Sequence, residues 1–430
     1  MNKYSPHYLF RDFLAVLIYR VILDISYVLI MSKVFAYNYY ILNPDIFKIF
    51  ESYTFLIVIF FIFRINLKFK EAILPGYLLT YLLFLISYVP FLSLYALSNG
   101  SRAFFYGVTC FWILLILMDC TFPKIHIRTL KDSKPIYFVL TLMLNLVSII
   151  LIFKYLGFSL NFNLSIVYDI RSKYIEAKIP FAGYLFNWLS YAVNPLFISY
   201  SYFNKKWINI IFIVFIQLLL FSQTGMKSFL FAPVFVIGIS WLINKGRQII
   251  LLIPSLLSLV ILLGNFSYLI IGDIWISALF TNRTLFFPAS LSFIYYDFFS
   301  RNGFIYLSSH KLFSVLFPYP YTLDPARLIG STYFYSSSGS VMAANNGIIA
   351  DAYMNFGFLG FFLFSFAFVL ILKIINGISE NNIEITAGLF GLSVLYLSNS
   401  SLLTCLFTHG LAIAIFLTYL LPGVKKDVQK

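Results

Sequence analysis

Cations, carboxylates and tyrosines gather in two polar stretches of a chain that is otherwise apolar. The longer, residues 272–346, holds Arg283, Arg301, His310, Lys311 and Arg327, the acids Asp273, Asp297 and Asp324, and the rings of Tyr295, Tyr296, Tyr306, Tyr319, Tyr321, Tyr333 and Tyr335. The shorter, about residues 157–180, carries Asp169, Arg171, Lys173, Glu176 and Lys178. Lys227 sits in a very short turn between two apolar runs. Guanidinium forks pair bidentately with phosphate oxygens, and ring faces stack on the C–H faces of sugars. Cations beside aromatic faces therefore have the chemistry to hold a phosphorylated and glycosylated lipid. The plainer account is that the loop cations are solvated and the tyrosines form the belt at a membrane interface.

The elements that must position these residues are membrane helices. Of 430 residues, 61% are hydrophobic and 11% charged, and the mean hydropathy is +0.90, more apolar than a water-soluble core of this length could hide. Crossing about 30 Å of hydrocarbon takes roughly 20 apolar residues in a helix. About twelve such spans are expected, near residues 13–35, 47–65, 73–97, 103–121, 135–156, 181–203, 207–223, 227–243, 249–271, 347–373, 385–399 and 402–421, with ends good to about three residues. The stretch 385–399 is short and runs into Ser398, Asn399, Ser400 and Ser401, so a hairpin or half-span competes there. Long continuous apolar runs, without barrel-type alternation, make the fold class all-α. Three regions follow: 1–271 with the first nine spans, the loop 272–346, and 347–430 with the last three spans and a tail.

Orientation follows from Lys and Arg, which are in excess in short cytoplasmic loops. With the N-terminus inside, the inner loops and tails hold 17 of them, Arg11, Arg64, Lys245 and Arg247 included, against eight in the short outer loops. Both termini are therefore expected in the cytoplasm, and both polar stretches outside. The net charge of +14 is explained by topology and anionic headgroups, so nucleic acid is not needed as a partner. The first apolar run lacks a small-residue cleavage site and is expected to stay as a span. Cys110, Cys120 and Cys405 lie in spans without a CxxC pair, which argues against disulfide or zinc chemistry.

Several smaller signals carry less. Arg20 and Asp24, one turn apart in the first span, read as a structural ion pair. Residues 224–228, TGMKS, lack the upstream glycine and strand of a phosphate loop. His409, inside the last span, reads as a satisfied buried imidazole. No acidic cluster is arranged like a metal site, so neither a metal nor another cofactor is expected.

The run NNGIIADAYMNFGFLG at 345–360, with TNRTLFFPASLSFIYYDFFSRNG at 281–303, TGMKS at 224–228 and VYDIRSKY at 167–174, resembles the O-antigen polymerase (Wzy-type) family of oligosaccharide repeat-unit polymerases. Taken with the topology, the likeness covers most of the chain. The related O-antigen ligases enter the corresponding helix as H-N-x-x-L followed by G-x-x-G. Aligned on Gly357 and Gly360, their histidine position is Asn346 here, which disfavours a ligase. Asn345 and Asn346 are also expected to cap the tenth helix, and the two glycines to allow close helix packing.

The resemblance implies a GT-C-like fold in a bacterial inner membrane, with 272–346 as a large periplasmic loop. It implies glycosyl transfer at the periplasmic face, with undecaprenyl-pyrophosphate carrying both donor glycan and acceptor repeat unit. The enzyme would need neither metal nor nucleotide sugar, and a chain-length regulator is a possible partner beside membrane lipids. Charge developing on the departing pyrophosphate needs fixed cations, and Arg171 and Arg283 are expected to supply them, supported by Lys227, Arg327 and Arg301. Asp351, desolvated about one turn inside the tenth span, is the candidate for the acceptor proton, with His310 and Asp297 as alternatives. Asn346 and Tyr296 complete the expected substrate contacts. A lipid-linked oligosaccharide flippase is the competing class, but carriers usually show internal repeats and midplane polar breaks, and no repeat relates the two halves.

Overall fold

In hydrocarbon a backbone has no partner but itself, so each apolar run closes its own hydrogen-bond ladder. The computed structural model describes residues 6–68, 73–130, 133–157, 160–163, 166–334 and 342–421. Tyr335 and the tail lysines of the charge argument lie outside the described residues. All regular elements are helical, with no strand among the described residues.

Among those residues nine helices are long and apolar enough to cross a membrane: α1 (Tyr8–Val34), α2 (Ile46–Ile65), α3 (Pro75–Leu97), α4 (Arg102–Thr121), α5 (Pro135–Tyr155), α8 (Trp207–Thr224), α10 (Gly246–Ile271), α13 (Ile348–Ser379) and α15 (Leu402–Leu420). The other three expected spans also fold as helices. Two of them, α9 (Lys227–Ile243) and α14 (Ile383–Leu397), are apolar but shorter, and the third, α7, covers 182–203. The polar stretches build α6 (Val167–Glu176), α11 (277–302) and α12 (Pro325–Tyr333).

Polarity in α7 is directed inward. Asn187, Ser190, Asn194, Ser199 and Ser201 are all buried. Asn194 Nδ2 donates to Gln217 Oε1 at 3.2 Å, and Ser199 Oγ donates to the Ile385 carbonyl at 2.6 Å. Such bonds join helices where the hydrophobic effect cannot. Helix α3 packs against α2, α13 and α14, and 94% of its apolar window is buried. The expected ion pair is present: Arg20 Nε lies 2.9 Å from Asp24 Oδ1, and the fully buried guanidinium also donates to Ser52 and to the Leu92 carbonyl.

Prolines account for three of the five places where the described helices widen. A proline inside a helix lacks its N–H, and its ring clashes with the carbonyl four residues back. Wide π-type turns at Phe84–Tyr88, Leu189–Val193 and Ser277–Phe286 each end two residues before a proline, namely Pro90, Pro195 and Pro288. The widening absorbs the clash and turns extra side chains toward new neighbours. Tyr191 and Arg283 lie in two of these turns.

The helix expected to open at Asn345 or Asn346 starts at Ile348, and its N-cap is Gly347. Neither asparagine is therefore the cap. A side chain at 347 would meet the Ser398 carbonyl at 2.4 Å, so this corner needs a close backbone approach that only glycine allows. The helix breaks again at Phe356 and Gly357, the latter at φ 59° and ψ −139°. A Cβ at Gly360 would stand 1.9 Å from the Ala352 carbonyl. Both glycines thus serve close packing, as expected, and they also fold α13 into a short stub and a long shaft.

Candidate functional site

Helix α6 lies across the turn that joins α8 to α9. Gly225 makes that turn at φ 66°, where its bare Cα faces the Val167 carbonyl; a Cβ there would come within 2.6 Å. Arg171 Nη2 donates to the Gly225 carbonyl at 3.0 Å. Two residues on, Lys227 Nζ stands 5.9 Å from the centre of the Trp275 ring. The motifs 167–174 and 224–228, some 50 residues apart in sequence, therefore form one cationic corner. Arg171 and Lys227 are half-buried, which limits their screening by solvent.

Arg283 lies farther along the chain, in the widened turn that opens α11. Its exposed guanidinium lies 4.9 Å over the Phe287 ring. The preceding residue anchors the turn: Asn282 Oδ1 accepts from Tyr40 Oη at 2.6 Å and from Asn38 Nδ2 at 3.2 Å. Burial pushes the Tyr40 hydroxyl well above the ordinary tyrosine value, so it stays a donor. Trp275 and Arg283 share one segment, which links Arg283 to Lys227 through the backbone.

A second polar cluster is built around residues 398–401, where α14 gives way to α15. Ser401 Oγ is 3.4 Å from His310 Nε2. The Leu402 N–H donates to Asp351 Oδ2 at 2.7 Å, and Asn355 Nδ2 donates to Asp351 Oδ1 at 2.9 Å. Asp351 is 1% exposed, and it caps α15 from a different helix. His409 lies in the interruption of α15 at residues 408–410, with Nε2 3.0 Å from Ser400 Oγ and its ring against Tyr191 and Tyr396. Tyr191 Oη and Ser228 Oγ are 2.6 Å apart. Neighbouring side chains therefore run from Ser228 through Tyr191, the Tyr191–His409 ring contact and His409 to Ser400, next in sequence to Ser401 and Leu402, which contact His310 and Asp351.

The other expected residues lie elsewhere. Arg301 pairs with Asp297 on its own helix, and Arg327 pairs with Asp324 at 3.4 Å, both largely exposed. Tyr296 stacks on Phe104 at 4.6 Å and accepts a hydrogen bond from Ser101 Oγ, within the aromatic packing of α4, α11 and α13. Asn346 is buried, with Nδ2 3.6 Å from the Met354 sulfur. The residues not anticipated are Tyr191, Ser228, Ser400, Ser401 and His409. Their signals in sequence were the SNSS run and a histidine beside Gly410, which holds φ 84° at the break.

Beside the His409 turn an apolar cleft of about 500 Å³ opens between α7 and α15, lined by Phe181, Leu185, Trp188, Phe407 and Ile413 among others. Trp188 Nε1 donates to the Phe407 carbonyl at 2.7 Å, pinning the cleft wall.

Burial holds the His310 imidazole below its ordinary value of 6.5. A neutral buried ring contributes stability above pH 6.5, and that contribution is lost as pH falls through the lowered value. Protection factors of the amides of residues 304–317, taken relative to intrinsic exchange at each pH, are accordingly expected to fall on acidification below pH 6.5, and a His310→Gln variant to lose that dependence. An unchanged profile in the variant would assign the effect to another group.

Among the described residues no three His, Cys, Asp or Glu side chains converge as a metal site would require. The chain matches no protein-family model, no curated protein and no solved structure.

Proposed function

We propose that the chain is a polymerase of undecaprenyl-pyrophosphate-linked oligosaccharide repeat units, working at the periplasmic face of a bacterial inner membrane. In this reading twelve helices of a GT-C-like fold span the bilayer, both termini are cytoplasmic, and a chain-length regulator can act beside the enzyme. The observation that carries it is the cationic corner, where Arg171 is fixed on the Gly225 carbonyl beside Lys227. Guanidinium and ammonium held there can neutralise a diphosphate without reorganising as its charge grows.

The acceptor hydroxyl attacks the anomeric carbon of the donor glycan, and the bond from that carbon to the pyrophosphate breaks with its electron pair. Arg171, Lys227 and Arg283 receive the developing charge. His310, neutral near pH 7, takes the hydroxyl proton, while Asp351, with both oxygens already accepting hydrogen bonds, positions the Ser401 turn. The apolar cleft beside His409 suits the carrier's hydrocarbon chain.

Purified protein given lipid-linked repeat units is expected to produce a ladder of lengthened glycans, and Arg283→Ala to slow it about tenfold, as loss of one exposed charge-stabilising group would. A ladder unchanged in that variant removes Arg283 from the site. No ladder from the unaltered protein with a competent substrate removes the polymerase reading itself.

A further inference from the structure

At the end of the bundle opposite the cationic corner, α1 and α10 pack together but leave a groove of about 390 Å³ between them. Leu14, Ile18 and Ile22 from α1 line it, each four residues from the next on one face, against Leu251, Leu259 and Leu262 from α10. The hydroxyls of Ser255 and Ser258 there are already donated to carbonyls of their own helix, at 2.9 and 2.8 Å. The groove therefore asks for hydrocarbon.

Its mouth asks for an anion. Arg11 lines that end and lies 3.7 Å from Asp12 Oδ1, while Arg64 Nη2 holds Asp12 Oδ2 at 2.8 Å. Two guanidiniums thus share one carboxylate, and one positive charge is left over. The Nε atoms of Arg11 and Arg64 are both buried without a hydrogen-bond partner among the described residues. Buried donors of this kind are normally satisfied.

We infer that this groove binds one acyl chain of an anionic glycerophospholipid from the leaflet that Arg11 faces, with the lipid phosphate at Arg11. Hydrocarbon fills the stripe between Leu14 and Ile22, and the phosphate takes the uncompensated charge. A zwitterionic headgroup brings its own cation to the same place, so the site selects net negative lipids. The groove lies apart from Arg171 and His310, so it stands or falls independently of the proposed glycosyl transfer.

The test uses the whole chain in nanodiscs of equal phosphatidylglycerol and phosphatidylcholine, released into mild detergent for native mass spectrometry. One phosphatidylglycerol is expected to remain bound in preference to phosphatidylcholine. Arg11→Gln should lower that preference about fivefold, the effect of removing one cation beside an anionic headgroup. Ser255 is exposed on the open side of the groove, so Ser255→Trp fills it without touching the packed core and should abolish the bound lipid. Equal retention of both lipids, a phosphatidylglycerol that persists unchanged in Ser255→Trp, or a second protein copy in place of lipid overturns the inference.

Discussion

Replacing Arg171 by alanine is expected to slow ladder formation by about a hundredfold or more, the range found when one preorganised donor to a developing oxyanion is removed. Its side chain is fixed at one end by the Gly225 carbonyl, so little ordering remains for a substrate to complete. Lysine keeps the charge but cannot hold that carbonyl and face a phosphate with a planar fork; Arg171→Lys should recover no more than about a tenth of the rate. Gly225→Ala offers an independent check, since its Cβ would strike the Val167 carbonyl and push α6 away with Arg171 intact. Initial rates from repeat-unit ladders measure all three. Rates within twofold of the unaltered protein in Arg171→Ala would remove α6 from the substrate site.

The second large effect concerns folding. Asp351→Ala deprives the Leu402 N–H of its buried acceptor, while Asn355 Nδ2 keeps the backbone carbonyl of residue 351, and a buried group left unsatisfied costs about 1–3 kcal/mol. A drop of several degrees in the thermal midpoint is therefore expected, with Asp351→Asn intermediate because its amide keeps one acceptor oxygen. An unchanged midpoint in Asp351→Ala, with activity lost, would return Asp351 to direct proton transfer.

Membrane spans were the legible part of this chain, because lipid imposes one length and one composition on any helix that faces it. Where helices face protein instead, the signal weakens for a physical reason. Helix α14 is shortened by the polar break at 398–401 and reads poorly as a lipid-facing span, whereas α7 is legible as a span but not as one whose Asn and Ser bond to neighbouring helices. Arg171, Lys227 and Arg283 could be nominated from residue type alone. Their grouping could not, since it depends on a glycine turn meeting α6 across some 50 residues. Local capping preference pointed to Asn345 and Asn346, yet the corner needed a residue without a side chain against Ser398, and close approach overrode it. His409 looked like a satisfied imidazole; its bond to Ser400 exists only because α15 is interrupted at Gly410.

The near-complete enclosure of α3 bears on how the chain is made. Its rings stack with neighbours on both flanks: Phe63 on Tyr77 at 4.4 Å, and Phe91 on Phe293 at 4.7 Å. The partners on the second flank, α11, α13 and α14, are synthesised long after α3 leaves the ribosome. A nascent chain that ends before residue 277 exposes that flank to lipid tails, which accept it about as readily as protein does. Entry into the bilayer and enclosure are thus separate events in biogenesis, and the centre of the molecule closes only when its last third arrives.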